Sequence, residues 1–313
     1  MKKHFTLIVS LALAIGPFAA RADDAAKAGR NILAKSQGAV VTVKLAIKQS
    51  MSFNGRDQKS ETKTETTGTI IDPSGLTVVS LATTDPGSTV RDSYTRAITA
   101  RGGDISQFKF DSELSDVKIV LPDGTEMAAD VVLRDKDLDL AYLRPSEKPA
   151  KPLAFIDLKH DAKAQVLDEV IVLNRLNQSA NRAPAVSIGR IEAIVEKPRT
   201  FYLLGESMWA YSLGAPVFSL DGKLVGILFL RTAKGQADPM AGFMFSNLNQ
   251  LGMMPAILPA SDIMDGVKQA LEAKAPAPED KPAATEKPAA AEKPAATEKP
   301  AATEKPKPPA QSE

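Results

Sequence analysis

Thr67-Gly68-Thr69-Ile70-Ile71-Asp72-Pro73-Ser74-Gly75-Leu76 places two short β-branched, apolar runs, Thr69 to Ile71 and Leu76 to Val79, on either side of a four-residue turn. Proline presets one turn dihedral and glycine accepts positive φ, so Asp72-Pro73-Ser74-Gly75 reverses the chain between two strands. The same pattern continues in both directions. Upstream, Val41 to Lys48 alternates apolar and polar residues as a half-buried strand does. Downstream, strand-like runs recur at Val117 to Leu121, Leu138 to Leu143, Val170 to Leu173, Val186 to Ile194, Leu224 to Leu230 and Phe243 to Phe245. Pro122-Asp123-Gly124 and Asp221-Gly222 supply further turns. Many short strands without long intervening helices predict an all-β antiparallel sandwich or barrel rather than a βαβ fold.

Two helices frame these strands. A short amphipathic one is expected near Ala25 to Lys35. The other closes the domain: Ser261 is its expected N-cap, Asp262 and Asp265 favour its start, and Ile263, Val267 and Leu271 recur at helical spacing. The polar stretch from Asp85 to Ser115, with Gly102-Gly103 inside it, reads as a long surface loop.

Both ends differ from this body. Lys2 and Lys3, the apolar run from Phe5 to Ile15, Pro17 and Ala20-Arg21-Ala22 before Asp23-Asp24 have the order of a secretory signal cleaved after Ala22. The apolar run is too short to span a bilayer, so no stable membrane span is expected after cleavage. From Ala275 to Glu313 the chain repeats Glu-Lys-Pro-Ala-Ala-Thr with small variations and contains no large apolar residue, which predicts a disordered, partly polyproline-II tail. The expected division is therefore residues 1–22 as signal, 23–274 as one folded domain and 275–313 as tail. Export places the protein in the periplasm or cell envelope. A net charge of +1 gives no case for nucleic-acid binding, and the absence of cysteine excludes disulfides, thiolate zinc sites and cysteine nucleophiles. No phosphate-binding glycine loop or HExxH motif is present, so neither a cofactor nor a metal is expected.

Taken in order, four blocks resemble the HtrA (Deg) branch of the trypsin-like serine proteases. Thr67 to Leu76 looks like the glycine-rich strand and turn that lead into that family's catalytic histidine. Val117 to Asp130 followed by Val131-Val132-Leu133-Arg134-Asp135-Lys136-Asp137-Leu138-Asp139-Leu140-Ala141 is similar to the segment carrying its catalytic aspartate. Leu167 to Leu173 with Val186 to Ile191 looks like the opening of the second barrel, and Gly214 to Ile227 is similar to the strand pair after the catalytic serine. The resemblance spans most of Gly38 to Ala273. It implies two antiparallel six-stranded β-barrels, divided near residues 150–165, with the active site between them. In that family a PDZ module follows the protease domain. No such segment follows the terminal helix here, and the tail takes its place.

The chemistry the resemblance implies is not supported by the residues present. Serine proteolysis needs a nucleophilic hydroxyl, an imidazole to carry its proton, a carboxylate to orient the imidazole and backbone N–H donors for the oxyanion. Counting from Gly75, the histidine position is Ala82. Apart from His4 in the signal segment, His160 is the sole histidine, and it sits in the polar Leu158-Lys159-His160-Asp161 stretch, a solvated turn. Asp139 occupies the carboxylate position but has no imidazole to orient. Registering on Pro216 and the Asp221-Gly222 turn puts Leu213 at the serine position and Tyr211 where a glycine N–H would serve the oxyanion. Ser212 lies one residue early, and on an extended segment a one-residue slip turns a side chain to the opposite face. Asp135 and Asp137 read as solvated turn carboxylates.

These residues predict a pseudoprotease: a peptide- or protein-binding or scaffolding module whose ligand occupies the cleft between the barrels around Ala82, Asp139 and Leu213. Two alternatives remain open. One is a serine endopeptidase of the HtrA-like class acting in protein quality control through Ser212. The other is a structural envelope protein whose tail, residues 275–313, engages an envelope partner.

Overall fold

The computed structural model describes residues 18–53, 55–85, 87, 91, 95, 98–99, 102–106, 108–205, 213–232 and 253–273. Within them, twelve strands form two closed antiparallel barrels of six strands each. The first consists of β1 (Val40–Phe53), β2 (Arg56–Ile70), β3 (Thr77–Ser80), β4 (Lys109–Val120), β5 (Glu126–Asp135) and β6 (Leu140–Pro145). They close in the order β1-β2-β3-β6-β5-β4. The second consists of β7 (Glu169–Arg175), β8 (Pro184–Val195), β9 (Phe201–Leu204), β10 (Pro216–Ser219), β11 (Leu224–Thr232) and β12 (Met253–Pro259), closing as β10-β11-β12-β9-β8-β7. Residues 146–168 connect them. Helix α1 (Phe18–Ser36) precedes the first barrel, the single turn α2 (Leu81–Thr84) follows β3, and α3 (Ala260–Glu272) closes the described chain.

The anticipated turns are where the glycines put them: Gly75, Gly124 and Gly222 all have positive φ. Three apolar clusters fill the molecule. One lies inside the first barrel, built from Val41, Val43, Leu45 and Ile47 of β1 with Ile70, Val79, Ile119, Ala141 and Leu143. Another fills the second barrel with Val170, Val172, Ile191, Tyr202, Val217, Val225 and Ile257. The largest joins the two barrels and the helices through Val40, Ile71, Leu140, Tyr142, Ile171, Leu173, Ile227, Phe229, Leu258 and Ile263. Strand periodicity explains the division, because alternate residues of one strand feed different clusters. Gly68 and Ile70 of β2 point into the first barrel, while Thr67 and Thr69 point outward at the second.

Several sequence expectations are corrected. Helix α1 begins at Phe18, ahead of the expected Ala25. The start of β1 is buried on both faces, from Val40 to Val43, because its outer face meets the second barrel instead of water. The stretch from Asp85 to Ser115 is only partly a loop. Gly87, Arg91, Thr95, Ile98 and Thr99 are helical, and Lys109 to Ser115 belong to β4, where Ser52 pairs with Lys109 and Ile47 with Leu114. Arg91 ties the two parts by donating from Nε (3.1 Å) and Nη2 (2.7 Å) to the Phe110 carbonyl.

Ser261 does not cap α3. Strand β12 runs directly into the helix, so Pro259 holds the N-cap position without a side-chain bond, and the Ser261 hydroxyl lies 3.4 Å from Asp262 Oδ1. Leu271 is 45% exposed, because the buried stripe of α3 runs through Ala260, Ile263, Gly266, Val267 and Ala270. Arg144 secures the far end of that helix, donating to the carbonyls of Ala270, Leu271 and Ala273. The expected strand Phe243 to Phe245 and the expected tail from Ala275 lie outside the described residues, as do residues 1–17 of the expected signal segment.

Candidate functional site

The histidine and aspartate positions inferred from the sequence are adjacent. Ser80 ends β3, Ala82 lies in the following turn of helix, and Asp139 precedes β6, which pairs with β3 through Ser80 and Leu140. Asp139 adopts φ +54°, a left-handed conformation that Asp tolerates better than most residues. This turns its carboxylate toward the start of α2. Oδ1 accepts from the Ala82 amide at 2.7 Å, and Oδ2 accepts from the Ser80 hydroxyl at 2.6 Å. The Asp139 carbonyl accepts from the Leu81 amide at 2.8 Å. A fourth bond crosses to the second barrel: the Leu230 amide of β11 donates to Oδ2 at 2.9 Å.

Burial raises the Asp139 pKa to about 6, and the bonds from Ser80, Leu230 and Ala82 oppose that rise. The carboxylate is thus a desolvated acceptor, satisfied by one hydroxyl and two backbone amides. Alanine at position 82 contributes its N–H and a methyl group, neither of which can shuttle a proton. His160 does not substitute. Its ring nitrogen Nδ1 lies 3.1 Å from Asp157 Oδ2, its side chain is 80% exposed, and its carbonyl accepts from the Leu224 amide at the outer end of β11.

Leu213, at the serine position inferred from the sequence, is half-buried and is followed by a tight junction with the first barrel. Gly214 has φ +85°, and a Cβ there would run into the carbonyl of Thr67, so only glycine fits. The Gly214 carbonyl accepts from Thr69 Oγ1 at 2.7 Å, and its amide donates to the Leu228 carbonyl at 2.7 Å. Tyr211 and Ser212 lie outside the described residues. Asp135, read as a solvated carboxylate, caps its own turn, accepting from the amides of Asp137 and Leu138 at 3.0 Å each.

A cavity of about 140 Å³ opens between the barrels, lined by Thr42, Glu65, Thr66, Thr67 and Thr83 from one side and Arg175, Leu176, Asn177 and Leu213 from the other. Thr83 and Leu213 bring it beside two of the inferred positions. The sequence reading missed its most distinctive member, Arg175, a cation only 8% exposed at the end of the apolar strand β7. Its Nε donates to the Val40 carbonyl (2.7 Å), Nη1 to the Arg182 carbonyl (3.0 Å) and Nη2 to the Gln37 carbonyl (2.8 Å). Burial lowers its pKa. Beside it, Thr67 Oγ1 donates to Asn174 Oδ1 at 2.7 Å, and Arg182 forms an ion pair with Glu65. The only advance signal was charge following an uninterrupted apolar run, Val170 to Leu173 and then Asn174-Arg175. Among the described residues, no group of three or more His, Cys, Asp or Glu is placed to hold a metal ion.

Known proteins match this arrangement. Residues 66–227 match the family model described as trypsin-like peptidase domain, just over half of the 313-residue chain. That span runs from the end of β2 to the middle of β11 and contains Ala82, Asp139 and Leu213. The chain is also similar to a probable periplasmic serine endoprotease, DegP-like, of Bartonella henselae, with 29% identity over 114 residues. The matched part is 35% of this chain and 22% of that protein. Two closed six-stranded barrels, an aspartate at their junction and a family match across both barrels together establish that the chain belongs to the trypsin-like peptidase domain family.

Proposed function

We infer that this chain is an exported pseudoprotease of the periplasm or cell envelope, a trypsin-like body that binds a peptide or protein segment between its barrels without hydrolysing it. One observation carries the reading: Ala82 donates its amide to Asp139, yet among the described residues no imidazole accompanies that carboxylate. The alanine therefore stands where a proton carrier would have to be, in a backbone geometry that still addresses the aspartate. The register near Leu213 does not enter, since the two histidines of the chain are His4 and the exposed His160. Removing the base of a serine-protease triad typically costs on the order of a millionfold in kcat.

Export is supported by the order of charge, apolar run and small residues at Lys2 to Ala22, and by the word periplasmic in the relative's name. Among the described residues no helix is long and apolar enough to cross a membrane. The division into a domain of residues 23–274 and a tail of residues 275–313 completes the proposal.

The test is binding measured together with turnover. Unfolded casein or a peptide library should be retained by the purified chain and recovered intact by mass spectrometry after prolonged incubation. Cleavage products that accumulate with time and vanish in Ser212→Ala would overturn the reading. Full retention of partner and localisation by residues 1–274 alone would remove the tail from the mechanism.

A further inference from the structure

The cavity beside Leu213 has a chemistry that a serine-protease cleft does not require. It is lined by a buried arginine, three β-strand threonines and Asn177. Guanidinium carries five N–H donors, and Arg175 spends three on the carbonyls of Val40, Arg182 and Gln37. Backbone carbonyls satisfy donors but do not neutralise charge. Among the described residues no carboxylate pairs with Arg175. The nearby carboxylate, Glu65, lines the same cavity but is held by Arg182 through Nε and Nη2. Two guanidiniums against one carboxylate leave one positive charge at the cavity, in a place where an unpaired cation is costly.

The geometry points to a carboxylate-binding site in this inter-barrel cavity, in which the two unused N–H groups of Arg175 bind a monoanionic carboxylate with help from the Thr42 hydroxyl, on the strand face it shares with Thr67. Charge and shape favour this ligand over phosphate or sulfate. One net positive charge balances a monoanion, a dianion would face Glu65 with an excess negative charge, and the planar guanidinium matches the planar carboxylate. A volume of about 140 Å³ admits a carboxylate with a few heavy atoms behind it, the size of a chain end and its last side chain. The inference deepens the proposed function, because a peptide C-terminus entering the cleft would present this group. It also stands apart from that reading, since a free small carboxylate satisfies the same chemistry.

The purified chain is titrated by amide NMR at fixed ionic strength with acetate, with N-acetyl-Ala-Ala bearing a free C-terminus, and with the same peptide amidated; inorganic phosphate is the comparison. Acetate is expected to shift the Thr66, Thr67 and Asn177 amides saturably. The free peptide should do the same and the amidated one should not. Arg175→Gln should weaken acetate binding by about tenfold or more, the scale of one charge-assisted hydrogen-bonded contact, whereas Arg190→Gln, an exposed cation paired with Glu169, should leave it unchanged. Should Arg175→Gln fail to fold, the amide map of the parent chain decides alone. Acetate binding without peptide binding supports the site and counts against the peptide-binding function. Absence of saturable shifts at the three amides, shifts confined to exposed cations, equal binding by a folded Arg175→Gln, or preference for phosphate would each overturn the inference.

Discussion

Asp139 links the start of α2 to the second barrel through a single carboxylate. Bound by Ser80, Ala82 and Leu230, that carboxylate has structural work: it fixes the start of α2 and reaches across to β11. Its raised pKa has a definite consequence for stability. Because the folded value of about 6 exceeds the ordinary 3.8, the folded state holds this proton more tightly than the unfolded chain does. The associated stability is fully present below pH 3.8 and is lost as pH rises through about 6. At most about 3 kcal/mol is at stake, since one pKa unit corresponds to about 1.4 kcal/mol. Denaturant unfolding of Asp139→Asn and of the parent between pH 4 and 7 should therefore show the parent losing stability relative to the variant as pH rises. A constant difference would refute the assignment. Ser80→Ala removes the donor that most strongly opposes the burial effect, so the Asp139 titration followed by carbon-13 NMR should move further above 6. No movement, or a fall, would contradict the hydrogen-bond account.

Helix α3 shows packing deciding a residue at the scale of an element. Gly266 lies mid-helix, where glycine normally costs about 1 kcal/mol relative to alanine. A Cβ at that position would collide with the Tyr142 hydroxyl and ring, and Tyr142 is fully buried with its hydroxyl 3.3 Å from the Ile263 carbonyl. Gly266→Ala should therefore destabilise by about 1–2 kcal/mol despite the gain in helix propensity, read as a lower urea midpoint; a raised midpoint would show that Tyr142 can move aside. Element boundaries also show where sequence stopped being informative. β3, β7 and β11 were legible because turns bracket their apolar runs. The first half of β2, Arg56 to Thr64, is exposed and polar on both faces, so it carries no alternation to read. β12 contains Pro255 and Pro259, which argue against a strand until its antiparallel pairing with β11 places them. β9 has only four residues. The Ser261 cap failed because a strand leads straight into α3.

Across the whole molecule, the barrels are joined by a shared apolar cluster and by a few polar bonds between residues distant in sequence. Thr67 reaches Asn174, Thr69 reaches Gly214, and Arg175 reaches Val40 and Gln37. Ala82, reached by counting from Gly75, and Asp139, in the segment Leu138 to Ala141, lie side by side because local strand and turn pattern fixes both. Arg175 and its neighbours could not be found that way, since their partners are set by how one barrel meets the other. Thr67→Val keeps the side-chain shape while removing one of two donors to Asn174 Oδ1, the Arg175 amide remaining at 2.8 Å. It should cost about 0.5–1.5 kcal/mol, measured by denaturant unfolding, and no measurable change would deny Thr67 a role in joining the barrels. The proposed reading is of a trypsin-like body with no proton carrier beside Asp139. The most direct test is to expose the purified chain to a fluorophosphonate probe and to unfolded casein together. The account predicts no serine labelling above the heat-denatured control and no casein cleavage; labelling with cleavage, both lost in Ser212→Ala, would contradict it.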